Sequence, residues 1–325
     1  MTTLAVFNNK GGVGKTSITW HLSYALARLN VPVLVVDADP QANLTATFYD
    51  DDAVEAIWKS DQTVYGMVEP LIRGLGDVGK VEPKVLEEHL TLLPGDMRLA
   101  RFEPLLSDSW PRGADGNESA LRQLAAPWRG IRSVAAEVGA EIILLDLGPN
   151  LGSLTRSYIV MADQILIPAA PDLFSLQGLR NLGPVLKEWR AQWPTRRDQA
   201  AQLGIDAPKG IMNPMGYVLS QHGVYGNRPA KAFGRWMSRF STEFRHSMIP
   251  DQGMFTGENP EDDPYFLGRI KNYRSLMPMA MEARKPVFDL RPADGAIGAH
   301  MAAVQECSIA YRQLAQRVLD RVKAQ

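Results

Sequence analysis

Residues 9–16 read Asn9-Lys10-Gly11-Gly12-Val13-Gly14-Lys15-Thr16, directly after an apolar, β-prone run at 4–7. A phosphate-binding loop is ordinarily written G-x-x-x-x-G-K-[ST], the lysine serving the β- and γ-phosphates and the hydroxyl serving Mg²⁺. Gly14, Lys15 and Thr16 fit that frame, but Asn9 stands where its first glycine belongs and a second lysine, Lys10, follows at once. Gly11, Gly12 and Gly14 let the backbone approach an anion closely and aim successive N–H groups at it. A helical pattern beginning near Lys15 adds its positive N-terminal end. One lysine is enough to grip a nucleotide's phosphates, so Lys10 needs a different task.

Two more apolar runs end in carboxylates. The run 33–36 leads into Asp37-Ala38-Asp39-Pro40-Gln41-Ala42-Asn43, and the run 142–145 into Asp146-Leu147-Gly148-Pro149. In an open parallel sheet, ligands sit beyond the carboxyl ends of the strands. The three segments therefore deliver polar residues to one edge. Asp146 suits the Mg²⁺ shell, commonly through water, because a hard cation takes oxygen ligands. Asp37 and Asp39 lie two apart and face the same way in an extended stretch. One can support metal and water while the other orients an attacking water.

These motifs resemble the ParA/MinD family of deviant Walker-type P-loop ATPases, in its ParA/Soj partition branch. The resemblance rests on Lys10 to Thr16, Asp37 to Asn43 and Ile143-Leu144-Leu145-Asp146. It continues through Ile165-Leu166-Ile167-Pro168, Ser175-Leu176-Gln177-Gly178-Leu179, Gly210-Ile211-Met212-Asn213 and Lys285-Pro286-Val287. It implies a doubly wound α/β fold, a mainly parallel sheet with helices on both faces. It also implies a slow ATPase using ATP and Mg²⁺ that dimerises across two nucleotides. The residue matching Lys10 would then reach the partner's phosphates, Lys15 would hold its own nucleotide, and Asp39 would be linked to hydrolysis. Lys10, Gly11, Gly12, Val13, Gly14, Lys15, Thr16 and Ser17 would line the nucleotide, with Asn213 beside the adenine. Thr16, Asp37 and Asp146 would serve the metal. Non-specific DNA and a ParB-like or cargo-adaptor protein that stimulates hydrolysis are the implied partners, in a nucleoid-associated, cytoplasmic protein. A MinD-like, membrane-associated regulator of division, flagella or secretion is the alternative. The chain departs from the family at Leu147-Gly148, where the usual pattern is Thr or Cys followed by proline. The stretch expected near the adenine is split between Ile249-Pro250 and Ile270-Lys271-Asn272.

The rest of the sequence bounds this reading. The chain has 325 residues, 45% of them hydrophobic and 22% charged, which suits a globular protein with a large core. It is expected to form one domain over 1–325, with excursions near 50–88, 100–118 and 214–268. Its one cysteine, Cys307, falls on a helical pattern and excludes an iron–sulfur cluster, which needs several thiolates. No signal-peptide pattern or long apolar run appears. Strands are expected near 3–8, 32–36, 89–93, 141–146, 164–168 and 209–213. Helices are expected near 15–29, 119–138, 153–162, 175–191 and 296–323.

Within the last excursion, Phe233, Trp236, Phe240 and Phe244 recur at helical spacing, with Lys231, Arg235 and Arg239 every four residues. Three readings are open: a core-packed helix with a solvated basic face, DNA backbone contact, or a membrane surface. A net charge of −1 means that any affinity for nucleic acid must come from such a patch. The acidic residues Glu258, Glu261, Asp262 and Asp263 read as a solvated loop. The C-terminal stripe of Met301, Val304, Tyr311, Leu314 and Val318 reads as core packing, since it lacks the bulky cluster that membrane insertion requires. His21 and His300 have no metal-ligand partner at useful spacing and read as structural.

Overall fold

The structure, a computed structural model, describes residues 1–221, 230–249, 251, 253–257, 260–273 and 275–324; of 221, 230–235 and 260 it describes the backbone. The described strands are β1 (Thr2–Val6), β2 (Val33–Asp37), β3 (Lys84–Glu87), β4 (Leu90–Leu93), β5 (Ile142–Asp146), β6 (Gln164–Ala169), β7 (Asn213–Gln221) and β8 (Phe266–Lys271). They form one sheet in the order β3-β4-β2-β5-β1-β6-β7-β8. Its pairs are parallel except β3 with β4. The first helices are α1 (Lys15–Ala27), α2 (Asn43–Phe48), α3 (Asp51–Lys59), α4 (Val64–Ile72), α5 (Glu103–Ala114) and α6 (Glu118–Glu137). The remainder are α7 (Ser153–Val160), α8 (Leu173–Gln202), α9 (Ala230–Met248), α10 (Leu276–Ala283) and α11 (Ala299–Lys323).

Strand periodicity divides the interior in two. On β1, Leu4 and Val6 enter a core shared with α1, α2, α10 and α11, while Ala5 enters the opposite core beneath α4 to α9. Both faces of the sheet are therefore covered, as the doubly wound reading requires, and this explains the continuous apolar runs of β1, β2, β5 and β6. Helix α1 lies between the sheet and α11 and is buried almost all round. On α11, Val304, Cys307, Tyr311, Leu314 and Val318 are buried, so the apolar stripe belongs to the core, and so does the lone cysteine.

Several expected boundaries are corrected. The segments set aside as excursions supply core. Val64, Met67, Val68 and Leu71 of α4, and Leu106 and Trp110 of α5, join the larger core, and β7, α9 and β8 extend the sheet and cover it. The strand expected at 209–213 instead begins at Asn213 and runs to Gln221. Pro214 has no N–H for a ladder, which argues against a strand, yet here it lies beside a register shift in the β6–β7 pairing. Helix α8 was expected to stop near 191 but passes Pro184 and Pro194 to reach Gln202. Trp189 and Trp193 keep its face in the core, and Trp193 Nε1 donates to Pro208 O at 2.8 Å.

His21 ties α1 to the C-terminal part of the chain. Its Nδ1 lies 2.7 Å from Ser17 O, and its Nε2 accepts from Val287 N at 3.1 Å, so the ring is neutral with its proton on Nδ1. It also stacks on Tyr311, with ring centroids 4.8 Å apart. Complete burial pushes the imidazole down to about 4, the Ser17 carbonyl and the Asp289 charge opposing the shift. A depressed histidine contributes stability that is complete above the ordinary value near 6.5 and is lost as pH falls towards 4. The whole span corresponds to about 3 kcal/mol. In urea unfolding, the stability gap between wild type and His21→Gln should therefore narrow steadily from pH 7 to pH 4.5; a constant gap would assign the proton uptake elsewhere.

Candidate functional site

The loop after β1 enters α1 through Gly14, which caps the helix in the left-handed region at φ 87°, and Gly12 is also left-handed at φ 72°. Among the described residues no side chain caps α1, and no acidic residue occupies its first turn, which leaves its leading N–H groups to an anion. A β-carbon placed at Gly11 or Gly12 would meet nothing within 4 Å, so there is open space over the loop. Lys15 is buried, its Nζ 3.5 Å from Lys10 O. Burial lowers the affinity of that amine for its proton, while the charges of Asp146 and Asp39 oppose the shift.

Asp146 joins the two halves of the site. Thr16 Oγ1 donates to its Oδ2 at 2.7 Å and Thr19 Oγ1 to its Oδ1 at 3.1 Å. Thr19 was not singled out in the sequence, although it lies one helical turn beyond Thr16 and so shares its face. Asp37 is the register partner of Asp146 on the adjacent strand. Burial raises the affinity of both carboxyls for protons; hydrogen bonds from Thr16 and Thr19 oppose this at Asp146, and those from Thr45 oppose it at Asp37. The carboxylate of Asp37 is held from behind: its Oδ2 accepts from Thr45 N at 2.8 Å and Thr45 Oγ1 at 2.7 Å. Its Oδ1 is buried without a partner among the described residues. Asp39 Oδ1 accepts from Gln41 N at 2.9 Å and faces Gly148, where a β-carbon would stand 3.1 Å away. The glycine that departs from the family pattern thus gives Asp39 its room.

Lys15, Thr16, Asp37, Asp39 and Asp146 meet at one edge as the strand ends require. Among the described residues no group of three or more His, Cys, Asp and Glu is placed to hold a metal ion. That donor set fits Mg²⁺, which keeps waters and substrate phosphates and takes only one or two protein oxygens. Thr45 engages one oxygen of Asp37, and the Thr16 hydroxyl donates to Asp146. Ser17 directs its hydroxyl towards Met277 Sδ, 4.0 Å away on α10. Lys10 pairs with Asp172 Oδ2 at 2.5 Å.

Asn213 is a correction. It pairs with Gln164 at the start of β6 and donates to that residue's side chain at 3.3 Å, so it occupies the sheet edge opposite the loop. Eight residue steps of β7, about 26 Å at ~3.3 Å each, separate it from the strand end that faces the loop. Ser220 stands there instead, its Oγ donating to Val13 O at 2.9 Å. The shifted strand boundary hid Ser220 from the sequence reading. Of the two stretches considered for the adenine, Ile270 pairs with Ser220 and lies at the loop edge, while Pro250 falls outside the described residues.

On α9, Phe240 and Phe244 pack on Tyr217, while Arg239 is exposed with its guanidinium 4.7 Å from the Trp236 ring centre. The side chains of Phe233, Lys231 and Arg235 lie outside the described residues, as does Glu258. Asp263 overturns the solvated-loop reading: it is buried, and Arg245 Nη2 donates to it at 2.7 Å. Glu261 pairs with Arg269 at the surface.

Comparison with known proteins follows the same lines. A family model described as AAA domain matches residues 1–197. A ParA family protein of Chlamydia pneumoniae is 30% identical over 195 residues, 60% of this chain and 68% of that one. The chromosome-partitioning ATPase Soj of Thermus thermophilus is 30% identical over 190 residues, 58% and 62% of the two chains. A plasmid partition protein of Borrelia burgdorferi B31, solved with AMPPNP, shares the fold at TM-score 0.58 and 18% identity over 98% of this chain and 99% of that one.

The enclosed Asp37 carboxylate can be tested by crowding it. A β-carbon at Gly95 would fall 2.6 Å from the Asp37 carboxyl. Gly95→Ala should therefore lower unfolding stability by roughly 1–3 kcal/mol, measured by urea titration, whereas Gly11→Ala, which meets open space, should change it far less.

Proposed function

We propose, for a chain that belongs to the ParA/MinD family of P-loop ATPases, that it binds and slowly hydrolyses ATP and thereby closes and reopens a homodimer that positions DNA or another large cargo. The observation that carries this reading is the second lysine. Lys15, Thr16 and Asp146 would suffice for a phosphate and metal edge, and Lys10 is engaged elsewhere, with Asp172. The loop N–H groups and Lys15 would hold the subunit's own phosphates. Thr16 and Asp146 would hold Mg²⁺, the latter through water, with Asp37 supporting from behind. When bound, the metal would offset phosphate charge in the transition state. Asp39, beside Gly148, would orient the attacking water.

Lys10 would serve the partner subunit's phosphates, as an arginine finger does in GTPases, where the gain is about 10³–10⁵ in rate. A smaller gain suits a timer whose ATP dimer must persist until a protein on the cargo stimulates hydrolysis. The basic residues that recur along the α9 sequence, Lys231, Arg235 and Arg239, would meet the DNA backbone without reading sequence, and a dimer would double their number. DNA is favoured over membrane because the apolar stripe of α11 is enclosed against α1 and β8. Cytoplasmic, nucleoid-associated placement follows from that reading.

Lys15→Ala should lower ATP affinity at least about 100-fold by calorimetry, because it removes a charge-assisted phosphate contact. Lys10→Ala should leave nucleotide binding to the single chain within about threefold, yet abolish ATP-dependent dimerisation in light scattering and slow hydrolysis ~100-fold. Unchanged turnover in Lys10→Ala would sink the trans-lysine role. Replacing Lys231, Arg235 and Arg239 together by Glu should eliminate ATP-dependent DNA retention, and wild-type retention should fall steeply with salt.

A further inference from the structure

The head of α8 is packed against the first half of the nucleotide loop. Asn8 Nδ2 donates to Pro168 O at 2.7 Å, and Lys10 N donates to Asn8 Oδ1 at 2.9 Å. A β-carbon at Gly178 would lie 2.8 Å from Asn9 Oδ1, so α8 approaches the loop closely there. Asp172 sits at this junction with its two oxygens divided. Oδ1 accepts from Ser175 N at 2.8 Å, which caps α8, and Oδ2 accepts from Lys10 Nζ. Two exposed apolar residues follow, Leu173 at 55% and Phe174 at 73% exposure, and the Phe174 ring centre is 5.8 Å from the same ammonium. The ion pair is itself half-exposed, at 26% and 38% for the two side chains.

We infer that Asp172 is a positioning residue for Lys10: in the single subunit it holds the lysine in cis, and the ion pair must open before Lys10 can serve a second copy of the chain. This rests on the ATP-dimer reading above and adds a threshold to it. Lys10 has one ammonium, and a triphosphate on a partner and a carboxylate on its own chain compete for it. A half-exposed pair is weak enough to be displaced by several phosphate oxygens and strong enough to disfavour a free, outward lysine. The pairing also places Leu173 and Phe174 beside the departing side chain, where a docking copy would cover them. Each dimer opens two such pairs, so their effect on the association constant multiplies.

The test separates the helix cap from the latch. Asp172→Asn keeps a good N-cap but removes the charge that holds Lys10. By analytical ultracentrifugation with ATP and Mg²⁺, the Asp172→Asn protein should dimerise at a concentration on the order of tenfold lower than wild type. In the Lys10→Ala background the same substitution should have no effect, and Asp172→Glu should restore the wild-type threshold. Ser175→Ala, which leaves the ion pair intact, controls for loosening of α8. If wild type dimerises with ATP but Asp172→Asn dimerises equally or more weakly, the latch is wrong and the dimer reading stands. If wild type does not dimerise at all, the dimer reading falls and the latch with it. An Asp172→Asn effect that survives Lys10→Ala would assign Asp172 to another contact and overturn the proposal.

Discussion

Charge crowding at one edge of the sheet is the constraint on which the site depends. Asp37 and Asp146 are neighbours on adjacent strands, both enclosed, and Lys15 is buried beside them. Such a group is costly without compensation, and the protein compensates locally. Thr16 and Thr19 serve one carboxylate, Thr45 serves the other, and Gly95 N donates to Thr45 Oγ1 at 2.8 Å to steady it. The arrangement leaves one side open, where the glycine loop faces solvent without side chains. A divalent cation with a polyphosphate would supply both the positive charge that the carboxylates lack and the negative charge that the lysine and helix end attract.

The supporting structure encloses the centre of the site and leaves its rim exposed. Helix α1 carries Lys15 and Thr16 and is clamped between the sheet and α11, with His21 joining it to Val287. The elements that would communicate with a second subunit are less enclosed. Lys10, Leu173 and Phe174 lie at the rim, and Gly148 brings the loop after β5 against Asp39. A buried centre with an ion-paired lysine at its margin is the arrangement that the proposed assembly-governed reaction would use.

Legibility from sequence followed the local or non-local origin of each feature. The loop, the carboxylates after β2 and β5, and α1, α6 and α7 were readable because their signals lie within a few residues. The region from 213 to 271 was not. The matching family model ends at residue 197, and the β7 strand begins at an Asn-Pro pair that reads as a turn. Asn213 was misplaced for that reason, and Ser220 missed. Helix α8 runs beyond its expected end near 191 through Pro194, because Trp189 and Trp193, buried in the core, outweigh the local helix-breaking preference. Asp263 looked like solvated acid, since nothing nearby in sequence announces the buried Arg245 that pairs with it.

Sequence alone determined that this chain builds a mainly parallel sheet with a glycine-rich loop of phosphate-binding pattern at its carboxyl edge, because glycine freedom, strand periodicity and paired carboxylates are short-range properties of the chain. Only the tertiary structure decided which side chains share that edge with the loop. It put Ser220 there in place of Asn213, gave Asp37 to Thr45, and gave Lys10 to Asp172, 162 residues away along the chain. Such pairings depend on strand register and on helix packing across the sheet, and no local pattern encodes either one.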